Sequence, residues 1–240
     1  MDSTTAFAAE LADTECSLGT VLKSGSPNMA EALGQTELDF LLIDRQHASP
    51  GLETIEHVIR AADLSELPVI VRLPRDSLGL VGNVLDAGAA GIMLPQTETV
   101  GEVERVLPKV RYDEGRSFSP NTRAGRFGTV DVDRDVVDAG LAVIPQIETP
   151  RGLDNADDIV ELDGVDNLAV GPLDLSLSLG IDRESDEFNA TLDDLFDRAR
   201  AAGCGIGTFV GTPAEIDAYR NRVTFLACGS DIGLVTAIFD

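Results

Sequence analysis

Residues 142–148 read AVIPQIE and residues 167–172 read NLAVGP. Each is a short apolar run that ends on polar or turn-forming residues, as a buried parallel strand does. Between them Thr149-Pro150 opens a helix, because proline suits a first helical turn. A strand, a helix and a second strand of this kind form one βαβ unit. Six more apolar runs extend the pattern in both directions: LGTVL (18–22), FLLID (40–44), VIVRL (69–73), GIMLP (91–95), GIGTFV (205–210) and FLACGS (225–230). Segments with helical character lie between most of them: 52–62, 77–87, 99–110, 131–139 and 187–202, with further starts at Ser26-Pro27 and Thr212-Pro213. Eight such repeats predict an α/β fold, a single (β/α)8 TIM barrel. The 240 residues suit one barrel of roughly 250, so residues 1–240 are expected to form one domain, with 1–17 a short N-terminal helix across the barrel bottom.

The chain carries 42 acidic against 18 basic residues, a net charge of −24. Only Lys23 and Lys109 are lysines; the other basic residues are arginine. Such a surface repels nucleic acid and anionic membrane. Acid excess with scarce lysine predicts a halophilic protein whose self-repulsion needs concentrated cations. No apolar run approaches the ~18 residues of a membrane span, and the acidic N-terminus lacks a basic secretory n-region. Cys16, Cys204 and Cys228 show no metal-ligand spacing and read as small apolar residues in a reduced, cytoplasmic protein.

Barrel active sites form at strand C-termini, and there the polar residues gather: Asp44, His47, Arg72, Gln146, Glu148 and Asp174. Glu148 closes strand five and Asp174 follows Gly171-Pro172 at strand six. Neighbouring strands lie ~4.8 Å apart, so the two carboxylates can converge on one cation. Their residue types suit a hard ion, Mg²⁺ or Mn²⁺, with Co²⁺ also compatible. As plain structure, both acids would cap the next helices. His47, three residues past Asp44, can move protons near neutrality, whereas His57 lies inside a helix and reads as a surface residue. Arg72 in a barrel mouth needs an anion: a substrate carboxylate or enolate, or a salt bridge to Asp44 or Glu148. Backbone at Gly171-Pro172 and Gly229-Ser230 is open to an anionic ligand. The loop RYDEGRSFSPNTRAGRFG is long enough to be functional, and its Arg116, Arg123 and Arg126 are expected either to face an anionic substrate or to sit on the surface.

The segments LDFLLIDRQHASP, VRLP, LDAGAAGIMLPQTET, RYDEGR, VIPQIETPRGLDN, GVDNLAVGPLDLSLSLG and ACGSDIGLV, in order over about residues 18–235, resemble one family. It is the HpcH/HpaI aldolase group, with the 4-hydroxy-2-oxoheptanedioate and 2-dehydro-3-deoxyglucarate aldolases. The resemblance implies a class II pyruvate aldolase that cleaves a 4-hydroxy-2-oxoacid to pyruvate and an aldehyde with a divalent metal. It implies Glu148 and Asp174 as metal ligands, His47 as base, Arg72 on the pyruvate enolate and Asp44 in the network around the histidine. Gln146, Gly171, Pro172 and Leu173 would line the pyruvate site. Asp86 would pair with the catalytic histidine; since it precedes strand four at the barrel bottom, only a neighbouring subunit's histidine is within its reach. A homo-oligomer, trimer or hexamer, is expected. Gln46 stands where the family usually has glutamate, Arg45 where glycine is usual, and the 117–130 loop is shorter and altered. Three other readings remain open: a Schiff-base aldolase using Lys23, a malyl- or citramalyl-CoA lyase, and a non-catalytic oxoacid-binding barrel.

Overall fold

The computed structural model describes residues 6–13 and 15–239. Eight parallel strands close into one barrel in sequence order. They are β1 (Ser17–Leu22), β2 (Phe40–Asp44), β3 (Val69–Arg72), β4 (Gly91–Leu94), β5 (Ala142–Ile147), β6 (Asn167–Val170), β7 (Gly205–Val210) and β8 (Phe225–Ser230). Each falls on an apolar run read from the sequence. β3 to β6 stop short of those runs, so Leu73, Pro95, Glu148 and Gly171-Pro172 lie just past the ladder.

The helices are α1 (Phe7–Ala12), α2 (Pro27–Leu33), α3 (Leu52–Ala62), α4 (Leu78–Asp86), α5 (Val100–Glu104), α6 (Leu107–Val110), α7 (Arg134–Gly140), α8 (Pro150–Asp154), α9 (Ala156–Val160), α10 (Pro172–Leu179), α11 (Asp186–Ala201), α12 (Ile216–Tyr219) and α13 (Asp231–Thr236). The helix expected over 99–110 is two. Pro108 has no N–H for the Glu104 carbonyl and its ring would strike it, so α5 ends at Glu104. None of the described helices is long and apolar enough to cross a membrane.

Strand period decides what enters the barrel. On β2, Leu41 and Ile43 join the layer between sheet and helices, while Phe40 and Leu42 fill the interior. Asp44 continues the inward phase. On β3 the same alternation puts Ile70 inside and Val69 and Val71 outside, so Arg72 is also inward. On β5, Ala142 and Ile144 are interior, and Gln146 and Glu148 follow in phase. Val21 sets that phase for Lys23 and Ala169 for Gly171.

The interior is closed at its N-terminal end by α1, whose Phe7, Ala8 and Leu11 are buried in it. The Asn167 amide donates to the Ala8 carbonyl at 2.8 Å. This is the expected N-terminal helix; residues 1–5 and 14 of the predicted segment lie outside the described residues. Phe40 and Phe225 meet edge to face at 6.1 Å, and their rings fill the space beside Gly19 and Gly207, where no side chain would fit.

The 111–133 segment runs along the opposite end of the barrel from the strand C-termini. Its Ala124 N–H donates to the Asp86 carbonyl at 3.1 Å, Arg116 pairs with Asp86 at 2.8 Å and Arg123 pairs with Asp63. Asp63 precedes β3 and Asp86 precedes β4, so Arg116 and Arg123 face away from this chain's own mouth. The expectation that they meet substrate there is corrected by topology: a connection from helix to next strand must turn at the N-terminal face.

Candidate active site

The ends of β1 to β6 and the loops after them build the mouth. The buried Asp44 carboxylate is its anchor. Arg72 donates to it twice, Nε to Oδ1 at 3.1 Å and Nη2 to Oδ2 at 2.9 Å. The backbone N–H groups of Gln46 and His47 donate to Oδ1 at 2.9 and 3.2 Å. Burial alone would raise this carboxyl. The bonds and charge of Arg72, with the two N–H groups, outweigh that and hold Asp44 below the usual carboxylate range. Arg72 is thereby fixed, with its guanidinium carbon 5.5 Å from the Phe209 ring centroid. Lys23 Nζ lies 3.8 Å from Asp44 Oδ2.

Glu148 lies across the mouth, 1% exposed. Its Oε1 accepts the Gln96 backbone N–H at 2.7 Å, and its Oε2 accepts the Gln146 amide at 2.8 Å. Gln96 sits at φ 51, a left-handed turn that aims its N–H inward. Burial pushes the Glu148 carboxyl up to about 7, and the charge of Asp174 adds to the rise. The Gln96 N–H, Arg72 and a side-chain bond from Gln46 act the other way. Asp174 is exposed in the first turn of α10. The structure therefore brings Asp44 and Arg72 into direct contact and places Glu148, Gln146, Gln46, Gly171 and Asp174 in one cluster.

His47 is exposed at the lip, and its ring makes no hydrogen bond to the described residues. Leu173 is exposed and Pro172 buried at the start of α10. Asp86 is elsewhere, at the far end of α4 with Arg116. His57 is a surface residue of α3 beside Glu53 and Arg60, as its position suggested. Gln46, Gln96 and Asp231 escaped the sequence reading as contributors. Asp231 accepts the N–H groups of Lys23 and Ser24 at 2.8 and 3.2 Å and pins the loop after β1; a contact over such a sequence distance leaves no local signal. Gln46 had one: it occupies a position where a different residue was expected.

The cluster fits a hard cation. Glu148 is a buried acid whose ionised form lacks a full counter-charge, and the amide oxygens of Gln46 and Gln146 are buried without partners. No group of three or more His, Cys, Asp or Glu side chains converges among the described residues. Two carboxylates with open positions are what Mg²⁺-type ions take, with water and substrate oxygens completing the shell.

The fold is that of the (β/α)8 barrel enzymes, with two acids and a fixed guanidinium gathered at the strand C-termini. Residues 18–237 match the model of the HpcH/HpaI aldolase/citrate lyase family, and the chain belongs to that family. It is 34% identical over 238 residues to the 5-keto-4-deoxy-D-glucarate aldolase of Salmonella paratyphi C, covering 96% of this chain and 92% of that one. It is 33% identical over 235 residues to the Enterobacter sp. enzyme of the same name, covering 95% and 91%. A solved HpcH/HpaI aldolase/citrate lyase family protein from Burkholderia cenocepacia superposes with a TM-score of 0.90 at 30% identity, covering 100% of this chain and 96% of that one.

Proposed function

We propose that this protein is a divalent-metal-dependent pyruvate aldolase. It cleaves a 4-hydroxy-2-oxoacid reversibly to pyruvate and an aldehyde. The observation that carries the reading is the buried Glu148, raised to about 7, beside Asp174 and facing Arg72. Glu148 and Asp174 would hold Mg²⁺ or Mn²⁺, with Co²⁺ as a third choice, and such an ion supplies Lewis acidity to the oxoacid. Arg72, immobilised by Asp44, offers fixed positive charge where enolate charge develops. His47 takes the 4-hydroxyl proton as the C3–C4 bond breaks; the bond's electrons pass to the pyruvate enolate, which is then protonated at C3. Gln146, Gly171, Pro172 and Leu173 wall the pyruvate side.

The barrel acts as one domain, and the working form is a homo-oligomer, trimeric or hexameric, in which Asp86 serves a neighbour's His47. Cytoplasmic residence belongs to the same reading, supported by the free cysteines Cys16, Cys204 and Cys228. The relatives' names make 5-keto-4-deoxy-D-glucarate the first substrate to try. Pyruvate release from a panel of hydroxy-oxoacids, with and without chelator, tests the whole. Release that persists unchanged in chelator removes the metal; no release from any member removes the aldolase.

A further inference from the structure

The two halves of the mouth meet at Gln46. Its backbone N–H donates to Asp44 Oδ1 at 2.9 Å, and the next N–H, that of His47, donates to the same oxygen at 3.2 Å. An aspartate that takes the N–H groups just after itself closes a local turn. From that turn the Gln46 amide N–H reaches across the barrel and donates to the Glu148 carboxylate, although β3 and β4 stand between β2 and β5. The amide oxygen is left over, buried and without a partner. An orphaned buried acceptor is destabilising, so the bond at the other end of the amide has to hold this orientation.

His47 has no tie of its own. It is exposed, and its ring makes no hydrogen bond to the described residues. Arg45 Nε, beside it, is buried without a partner. Glu148 takes N–H donors from Gln96, Gln146 and Gln46. Of these, Gln46 belongs to the loop that carries His47. A carboxylate has about four acceptor positions, so a cation can join without expelling a donor. Any movement of the carboxylate towards the cation is then passed to the amides bonded to it.

We infer that Gln46 is a positioning residue: it couples occupation of the Glu148–Asp174 pair by a divalent cation to the placement of His47 at the lip. The loop then settles with the acid pair, and His47 takes its working position once the cation is bound. The inference rests on the metal-dependent reading of the acid pair. It concerns where His47 is held, not its proton affinity.

Histidine NMR tests this without turnover. His47 and His57 are the chain's two histidines, so protein labelled with ring-¹³C histidine gives one set of signals for each. His57, on the surface of α3 beside Glu53, reports diffuse binding of cations to the acidic surface. About 1 M KCl suppresses such binding by cutting the reach of charges to about 3 Å. Titrated with Mg²⁺ at fixed pH, the wild type should displace the His47 signals and leave those of His57 in place. Gln46→Met, similar in shape but without an N–H, should bind Mg²⁺ about tenfold more weakly by calorimetry. At saturation it should lose the His47 displacement. Gln46→Asn, whose amide is one methylene short, should lose it too, and it replaces the methionine variant if that one fails to fold. Gln146→Met removes a different donor from the same carboxylate; it should lose about as much affinity yet keep the displacement. A displacement as large as the wild type's in either Gln46 variant, its loss in Gln146→Met, or none in a wild type that binds Mg²⁺ would overturn the inference. If calorimetry finds no Mg²⁺ binding that Glu148→Gln abolishes, the metal reading falls, and the coupling with it.

Discussion

Gly171 and Glu148 occupy one space: a β-carbon at 171 would land on Glu148 Oε2 and lie 2.8 Å from Gln146 Nε2. The backbone there, at φ −93 and ψ 88, does not need glycine. Room for the carboxylate does. A glycine thus follows β6 at the point where the buried acid after β5 lies against it.

Gly171→Ala should therefore fold and fail. Overpacking costs about 1–3 kcal/mol, which shifts a melting curve without abolishing it. Displacing Glu148 should weaken Mg²⁺ or Mn²⁺ binding at least tenfold. Calorimetric metal titration beside a thermal melt separates the two effects; wild-type affinity in a destabilised variant would show that the carboxylate has room to move.

The Asp44–Arg72 pair makes a different demand. Arg72→Met strips the buried Asp44 of its bidentate partner and leaves it only Lys23 at 3.8 Å and two backbone N–H groups, which costs up to about 3–5 kcal/mol. The stabilisation is pH-dependent. Asp44 titrates below its ordinary value, so its contribution is complete above the unfolded carboxyl's pKa and is lost as pH falls below that towards the depressed folded value. Acid unfolding of the wild type should steepen below about pH 4, and Asp44→Asn should flatten that limb. Denaturant melts from pH 3 to 6 provide the measurement.

Glu148 has the opposite sign. Its folded value, about 7, lies above the ordinary 4.5, so the folded chain holds a proton that the unfolded chain has released between those values. In chelator-treated protein, stability should fall as pH rises through that window and level off above about 7. Glu148→Gln removes the titration, and Gln146 can turn its unpartnered oxygen to accept from the new amide. Melts in EDTA between pH 5 and 8 should slope downward for the wild type and run flat for the variant.

Net charge sets a further expectation. With 42 acids against 18 bases, self-repulsion opposes the compact state. Many of the arginines already sit in ion pairs, among them Arg75 with Glu98 and Glu102, and Arg198 with Asp157 and Asp194. Raising KCl from about 0.1 M, where screening reaches 10 Å, to 1 M, where it reaches about 3 Å, should raise the melting temperature. An unchanged melt would mean that the exposed acids are too dispersed to matter.

The barrel was legible because strand and helix periods alternate so regularly, and the same period placed Asp44, Arg72 and Glu148 in the mouth. What the sequence concealed depends on three dimensions. Arg116 and Arg123 read equally as substrate-facing or as surface residues because a long arginine-rich loop has no intrinsic address; only closure of the barrel assigns it to the N-terminal face. Gln96 contributes through a backbone N–H turned inward at φ 51, which its side-chain type does not announce. Lys23 reads as an amine near a strand end, but its partner Asp44 and its place opposite β5 emerge only from the folded chain.

Asp86 poses the sharpest question of assembly. It ends α4, bonded to Arg116 at 2.8 Å, at the opposite end of the barrel from His47. No motion short of unfolding brings the two together within one chain, so an Asp86–His47 partnership has to be intermolecular. His47→Ala and Asp86→Ala should each lower turnover while leaving metal affinity intact, since neither carries Glu148 or Asp174. Unfolded and refolded together, the two variants would form mixed oligomers in which some interfaces join an intact His47 to an intact Asp86. Activity should then recover to a fraction set by the mixing ratio, with no recovery when either variant is refolded alone. A mixture as inactive as its parts, at a subunit ratio confirmed by mass spectrometry, would confine Asp86 to its bond with Arg116.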